Sequence, residues 1–282
     1  MKKILSTLTL LLCLTSMFSQ VKLMTYNIKY ANENDGENSW SYRKDWITSQ
    51  IKFYEPDIFG VQEALQVQID YFSEHMPNYK HIGVGRDDGM KKGEYSAIFY
   101  NSEKFKMLEN NTFWLNETPT KIKKGWDAAL PRICTYGLFE NKKTGEKFWY
   151  FNTHFDHVGV KARQESAKLI FEKITELNTQ DYPVVLSGDF NLMPDTKSIQ
   201  YLSEQMIDTK GAADLVFGPE GTYNGFNFSD LAEVVYVGRE GSNHPYRSNA
   251  RRVMEYADAL WHIFDQVMNE IVKTREDTLR DF

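Results

Sequence analysis

Several segments of the chain share one pattern, a short apolar run that ends abruptly in polar residues. In the clearest case, 183–191, the apolar run is followed by Ser, Gly, Asp, Phe and Asn. The pattern recurs at 22–28, 57–63 and 151–157. It is typical of a buried central strand that surfaces at its end and carries polar groups into a cleft. For 183–191 taken alone, a turn is the competing interpretation, because Asp and Asn are common turn residues.

Between these strands, apolar residues recur at the spacing of amphipathic helices, and a further set of short apolar runs predicts hairpin strands. Because strands and helices alternate and hairpins are mixed in, we expect mixed sheets and not a purely parallel one. The predicted helices are 40–54 (ended by Pro56), 65–75 and 160–177, and the additional strands are 79–84, 96–100, 133–139 and 148–152, the last two joined by a turn at 141–145.

The N-terminus has the layout of a secretory signal peptide. A basic start with Lys2 and Lys3 precedes an apolar run over 4–14 and a short polar stretch. The run is too short to span a membrane comfortably, so we expect no stable membrane insertion. A buried N-terminal helix is the alternative. We predict cleavage after residue 19 and a secreted or periplasmic protein.

Composition narrows the class of protein. With 282 residues and 41% hydrophobic content, the chain can build one large core, and no linker or repeat divides it. Loss of Lys2 and Lys3 lowers the formal net charge from −6 by two, to −8, which argues against a general polyanion binder, although a local positive patch stays open. The remaining cysteine, Cys134, has no disulfide partner and is predicted to be buried and unreactive. We expect a monomer.

The polar residues at the predicted strand ends suit one kind of chemistry. Carboxylates and carboxamides, without a cysteine or a His-x-x-x-His pair, favour a hard cation such as Mg²⁺ over zinc. Such an ion polarises a phosphoryl oxygen and acidifies a bound water, while a carboxylate orients the water and a histidine holds the phosphate. The set therefore suits phosphoester hydrolysis. Its members are Asn27, Glu63, His154, Asp156, Asp189 and Asn191.

Four of these segments, 24–27, 62–64, 152–157 and 188–191, occur in an order and spacing that resemble the endonuclease/exonuclease/phosphatase superfamily. The segments 83–89, 113–119 and 125–132 resemble an exported bacterial branch of it. The resemblance covers about 20–233, which we take as one domain. It implies an α/β (α+β) fold, a four-layer sandwich of two mixed β-sheets flanked by helices, with the active site at one end of the sheets.

The resemblance also implies roles. Glu63 would bind Mg²⁺, with Mn²⁺ as an alternative, and Asn27 would lie beside it in the metal or phosphate shell. His154 would contact the scissile phosphate, Asp189 would position or activate the water, and Asn191 would help to orient the nucleophile. The implied substrate is phosphorylated: a small molecule, a lipid head group or a nucleic acid.

Further residues are weaker candidates. The resemblance implies indirect support of the site by Asp156 and a phosphate contact by Arg132. For Asn27 a simple turn role is the alternative to a ligand role. His157 is predicted to make a structural hydrogen bond, and Trp126, like Trp114, to pack or to line the cleft.

The C-terminal part departs from the family pattern. Members usually end with an Ile-Asp-Tyr-Ile-Phe-like strand and a Ser-Asp-His triplet, and neither is present in its normal form. The likeness stops after Glu233. His244 is a candidate substitute for the histidine of the missing triplet, although it comes too early in the chain to follow the expected strand. Within the divergent segment 234–282, apolar residues over 253–271 predict an amphipathic helix. A frameshift or chimeric end and a genuine replacement segment both stay open.

Two functions therefore compete. The first is an exported, Mg²⁺-dependent phosphoesterase. The alternative is a catalytically impaired family member that binds a phosphorylated ligand or partner without turnover, because the Asp-His pair is missing. The acidic balance favours a small or lipid-linked substrate over long nucleic acid.

Overall fold

A computed structural model of the protein describes residues 21–213. The predicted signal peptide 1–19, His244 and the predicted helix within 234–282 lie outside the described residues. The elements are β1 (Leu23–Asn27), a 3-10 helix (Glu33–Asn38), α1 (Trp40–Tyr54), β2 (Ile58–Gln62), α2 (Gln66–His75), β3 (Tyr79–Ile82), β4 (Ile98–Asn101), β5 (Phe105–Trp114), β6 (Ile133–Asn141), β7 (Lys147–His154), α3 (Val160–Leu177), β8 (Val184–Asp189), α4 (Lys197–Gln205) and α5 (Thr209–Ala212).

The strands form two sheets of four, in the orders β1-β2-β4-β3 and β5-β6-β7-β8. In the first sheet β1 is parallel to β2, while β4 runs antiparallel to both β2 and β3. In the second sheet β7 is parallel to β8 and the other pairs are antiparallel. The predicted mixed sheets flanked by helices, and the hairpin between β6 and β7, are therefore confirmed.

Three apolar clusters hold the layers together. Residues of β2 divide between two of them because neighbouring strand residues point to opposite faces: Ile58 joins the cluster between the sheets, and Phe59 joins the cluster under the first pair of helices. The third cluster packs Ala167 and Ile170 of α3 onto the second sheet. Burial of these faces positions the strand ends that carry the polar residues.

A buried amide joins the two sheets close to those ends. The side chain of Asn152 on β7 donates to the carbonyls of Val61 (3.0 Å) and Ala97 (2.9 Å), and its Oδ1 accepts from Nε2 of Gln62 (2.7 Å). Gly60 makes room for it, because a Cβ there would lie 2.5 Å from the Asn152 Cγ. The ends of strands β2 and β7 are therefore fixed side by side.

Two features of the sheets differ from the sequence predictions. Strand β5 was not predicted, because its middle residues, Leu-Glu-Asn-Asn-Thr, lack a regular apolar alternation. Strand β8 was predicted to be buried and central, whereas among residues 21–213 it is the last strand of its sheet and its residues are half-buried. None of the helices within 21–213 is long and apolar enough to cross a membrane.

Candidate active site

The carboxyl ends of two parallel strand pairs supply the site. Asn27 at the end of β1 is in register with Gln62 on β2, and His154 at the end of β7 is in register with Asp189 on β8. Parallel strands finish at the same edge of a sheet, so each pair brings its polar residues to one rim. The two rims meet, because the Asn27 side chain reaches Asp189.

Asn27 joins two carboxylates on one side of the site. Its Nδ2 donates to Oε1 of Glu63 (2.9 Å) and to Oδ2 of Asp189 (2.8 Å), while its Oδ1 accepts from the Lys29 N–H (3.0 Å). The other oxygen of Glu63 accepts from the Tyr30 N–H (3.3 Å). Glu63 and Asp189 therefore flank a single amide group.

The donor set on this side fits a hard cation. Glu63 and Asp189 offer carboxylate oxygens, which Mg²⁺ prefers, and Mg²⁺ commonly takes only one or two protein carboxylates beside water and substrate phosphate. In the described part of the chain, no group of three or more His, Cys, Asp or Glu residues could hold a metal ion. Asn27 turns its nitrogen to the carboxylates and its oxygen to Lys29, so here it orients the carboxylates. Its role as a ligand stays a prediction.

His154 lies on the opposite side of Asp189. Its Nε2 is 3.8 Å from Oδ2 of Asp189 and accepts a hydrogen bond from Nδ2 of Asn191 (3.0 Å). Two further hydrogen bonds hold Asn191 in place. Its Nδ2 also donates to the Phe155 carbonyl (3.0 Å), and its backbone N–H donates to Oδ1 of Asp189 (3.0 Å). Burial, reinforced by the nearby Arg132 cation, lowers the pKa of His154 well below its usual range. Both effects favour the neutral form of the ring.

Glu94 belongs to this side and was not identified from the sequence. Its Oε2 lies 3.9 Å from Nδ1 of His154, which is buried and has no hydrogen-bond partner among the described residues. Arg86 donates to both Glu94 oxygens, at 2.8 and 3.0 Å. Burial raises the pKa of Glu94, against the opposing effect of Arg86. Glu94 follows a polar loop with no apolar run before it, so no strand-end pattern marks it in the sequence. The only sequence signal near this position was the segment 83–89, which resembles the family and contains Arg86, the partner of Glu94.

Asp156 acts as an anchor for backbone near His154. It is 2% exposed and accepts from four N–H groups, at Ala129, Leu130, Val158 and Gly159. Burial would raise the pKa of Asp156, but these hydrogen bonds and a nearby guanidinium outweigh it and lower the pKa below the usual range. Its predicted indirect support of the site stays a prediction.

Arg132 links Asp156 to a second histidine. Its Nε donates to Oδ1 of Asp156 (3.3 Å), and its Nη2 donates to Nδ1 of His157 (2.9 Å). The side chain is 5% exposed, and one terminal nitrogen, Nη1, has no hydrogen-bond partner among residues 21–213. His157 thus makes a structural hydrogen bond. Trp114 is buried and donates to the Arg86 carbonyl (2.8 Å), whereas Trp126 is half-buried.

Comparison with known proteins identifies the family, although no protein-family model matches the chain. The solved structure of an endonuclease/exonuclease/phosphatase family protein from Bacteroides thetaiotaomicron is 44% identical. The match covers 66% of this chain and 68% of that one, with a TM-score of 0.64. The chain belongs to the endonuclease/exonuclease/phosphatase family. The resemblance inferred from the four segments is confirmed.

Other relatives of this family member include phosphatases and nucleases. A Bacteroides thetaiotaomicron mannosyl-6-phosphatase is 44% identical over 66% of this chain and 71% of its own, with a TM-score of 0.65. An uncharacterized protein of Acanthamoeba polyphaga mimivirus is 29% identical over 77% of this chain and 85% of its own length. The 3'-5'-exoribonuclease subunit Ccr4 of Mycosarcoma maydis is 24% identical, but the match spans only 36% of that protein.

Proposed function

We propose that the protein is a metal-dependent phosphoesterase that hydrolyses a phosphomonoester or phosphodiester with an activated water, using Mg²⁺ or Mn²⁺. The observation that carries the proposal is the bridge formed by Asn27, whose one amide group binds both Glu63 and Asp189. With His154 beside Asp189, these groups form a continuous polar rim. The phosphatases and nucleases among its relatives support the reaction class.

The residues divide the work between binding, orientation and charge. Glu63 would hold the metal ion, which would polarise a phosphoryl oxygen and acidify a bound water. Asp189, fixed by Asn27, would orient that water toward phosphorus. His154 would contact the phosphate from the other side, with Asn191 setting the direction of its ring. The buried charge of Arg132 would favour an anion beside His154.

A small phosphorylated molecule is the substrate class best supported. The relative at 44% identity that carries a substrate name is a mannosyl-6-phosphatase, whereas the exoribonuclease relative is 24% identical. The formal net charge of −6 disfavours long nucleic acid, which proteins usually hold with basic surfaces. A sugar phosphomonoester is therefore the first substrate to test.

The test is hydrolysis of mannose 6-phosphate and of chromogenic mono- and diesters, with Mg²⁺ and with a chelator. We expect Glu63→Ala and Asp189→Asn to lower kcat/KM by about 10²-fold or more, and the chelator to abolish turnover. Glu204→Ala, an exposed carboxylate on α4, is the control and should behave as wild type. Equal rates in all four proteins would remove the proposed site.

The catalytically impaired alternative rests on one sequence feature, the lack of the family's Ser-Asp-His triplet after residue 233. It predicts that the wild-type protein binds Mg²⁺ or a phosphate ester in calorimetry but turns over none of the esters above. Measurable turnover by the wild type would rule this alternative out. Binding without turnover would support it, since loss of a catalytic group can abolish turnover and leave binding measurable.

Export completes the proposal. Residues 1–19 would direct secretion or transfer to the periplasm, and the released protein would act as a monomer. N-terminal sequencing of the protein recovered outside the cytoplasm should find a start at or near Gln20, and light scattering should give the mass of one chain. A protein that retains Met1 and stays in the cytoplasm would contradict this part.

A further inference from the structure

One buried amide ties together the two loops that carry the proposed metal-side residues. Gln68, near the start of α2, is fully buried. Its Nε2 donates to the Lys29 carbonyl (2.8 Å), and its Oε1 accepts from the N–H groups of Ala31 (2.9 Å) and Leu65 (2.9 Å). Lys29 and Ala31 follow β1, whereas Leu65 follows β2. A single side chain therefore fixes both loops relative to each other.

Arg43, on α1, holds the first of these loops from the other side. Its guanidinium donates to the carbonyls of Ile28, Lys29 (3.1 Å) and Tyr30 (3.2 Å), and its Nε donates to the Asn38 carbonyl (2.7 Å). The five N–H donors of arginine are arranged in a rigid fork, so one side chain can bind several carbonyls in a row. Lysine cannot reproduce this arrangement.

The loop held in this way orients both metal-side residues. The Lys29 N–H donates to Asn27, and the Tyr30 N–H donates to Glu63. Lys29 and Glu63 both have left-handed backbone conformations, with φ of 56° and 61°. Such conformations in non-glycine residues persist only where the surroundings hold them in place. Gln68 and Arg43 both bind the Lys29 carbonyl, and Gln68 also binds the Leu65 N–H, two residues after Glu63.

We propose that Gln68 and Arg43 are positioning residues that set the geometry of Asn27 and Glu63 for the metal ion. The inference rests on the proposed function, because it assigns these side chains a role in metal affinity. Without Gln68, the Lys29 carbonyl and the N–H groups of Ala31 and Leu65 lose their buried partner, and the two loops are free to shift. Groups that orient metal ligands typically contribute about 10–100-fold to affinity or activity.

The test compares Mg²⁺ affinity with stability in the full-length protein. Gln68→Met keeps length without hydrogen bonds, and Arg43→Lys keeps charge without the fork. We expect both to weaken Mg²⁺ binding in calorimetry by about 10–100-fold. The Mg²⁺ concentration for half-maximal hydrolysis should rise in parallel, while kcat at saturating Mg²⁺ stays close to wild type. Gln68→Glu, which in its neutral form can both donate and accept, should recover part of the affinity.

The control is Ile174→Ala, a cavity variant in the cluster between α3 and the second sheet. It should lower the melting temperature without changing Mg²⁺ binding. The inference is overturned if Gln68→Met and Arg43→Lys bind Mg²⁺ as wild type does, or if Ile174→Ala weakens binding as much as they do. Should Gln68→Met fail to fold, the Mg²⁺ affinities of Arg43→Lys and Gln68→Glu are compared with those of wild type and Ile174→Ala in the same way. A wild type without Mg²⁺ binding and without turnover would instead overturn the proposed function.

Discussion

Replacement of Asp156 by asparagine should destabilise the protein strongly, although the two side chains have nearly the same shape. Oδ2 of Asp156 accepts from the N–H groups of Ala129, Val158 and Gly159, and Oδ1 accepts from the Leu130 N–H and from Arg132. Asparagine has one oxygen, so its NH₂ group must face donors on one of these sides.

The size of the effect follows from the contacts that are lost. If the asparagine oxygen keeps the three N–H groups at 2.8–3.1 Å, its NH₂ faces the Leu130 N–H and the Arg132 Nε–H, which then lack an acceptor. Arg132, itself buried, also loses its ion-pair partner. Breaking a buried pair by removing one charge typically costs about 3–5 kcal/mol of folding free energy, and we expect a loss in this range.

The difference in unfolding free energy between wild type and Asp156→Asn should depend on pH. The pKa of Asp156 is lower in the folded protein than its unfolded value of about 3.9, so its contribution to stability is fully present above that value. It is lost as the pH falls toward the lowered folded pKa, because protons then bind the unfolded chain first. Asparagine does not titrate. The gap between wild type and Asp156→Asn should therefore narrow below about pH 4.

Urea unfolding at pH 7 and pH 3, followed by fluorescence, measures both effects. Asp127→Asn is the matched control: this exposed aspartate accepts from two backbone N–H groups at the start of α3, and its loss should cost less. A loss below about 1 kcal/mol for Asp156→Asn at pH 7, where buried-pair disruption costs several times more, would refute the reasoning. So would a gap that is as wide at pH 3 as at pH 7.

Three further predictions address separate features. Glu94→Gln should lower kcat by about tenfold with little change in Mg²⁺ affinity, because it removes the negative charge 3.9 Å from Nδ1 of His154; unchanged kcat would contradict a role for Glu94 in positioning that ring. Gly188→Ala should cost about 1–3 kcal/mol in urea unfolding, since φ is 151° and the new Cβ would lie 2.2 Å from the Thr153 carbonyl oxygen; wild-type stability would contradict it. Cys134 should resist iodoacetamide until urea unfolds the protein, because complete burial raises the pKa of its thiol; an adduct on the native protein, found by mass spectrometry, would contradict this.

Local pattern alone located much of the site. Asn27, His154 and Asp189 stand at the ends of strands β1, β7 and β8, where the sequence placed them, because an apolar run followed by polar residues marks the point at which a packed strand reaches solvent. The helix Val160–Leu177 was likewise predicted from its apolar spacing. These features depend on neighbours a few residues apart, which a sequence records directly.

Tertiary structure decided the partners of these residues. The Asn27 amide meets Asp189 across 162 residues of chain, and Glu94 reaches His154 from a polar loop without any periodic pattern. The sequence by itself therefore determined which residues end the strands and that their chemistry suits a phosphate. The packing of two sheets determined which atoms face each other, because burial and hydrogen bonding between distant segments depend on register and layer contacts that local periodicity does not encode.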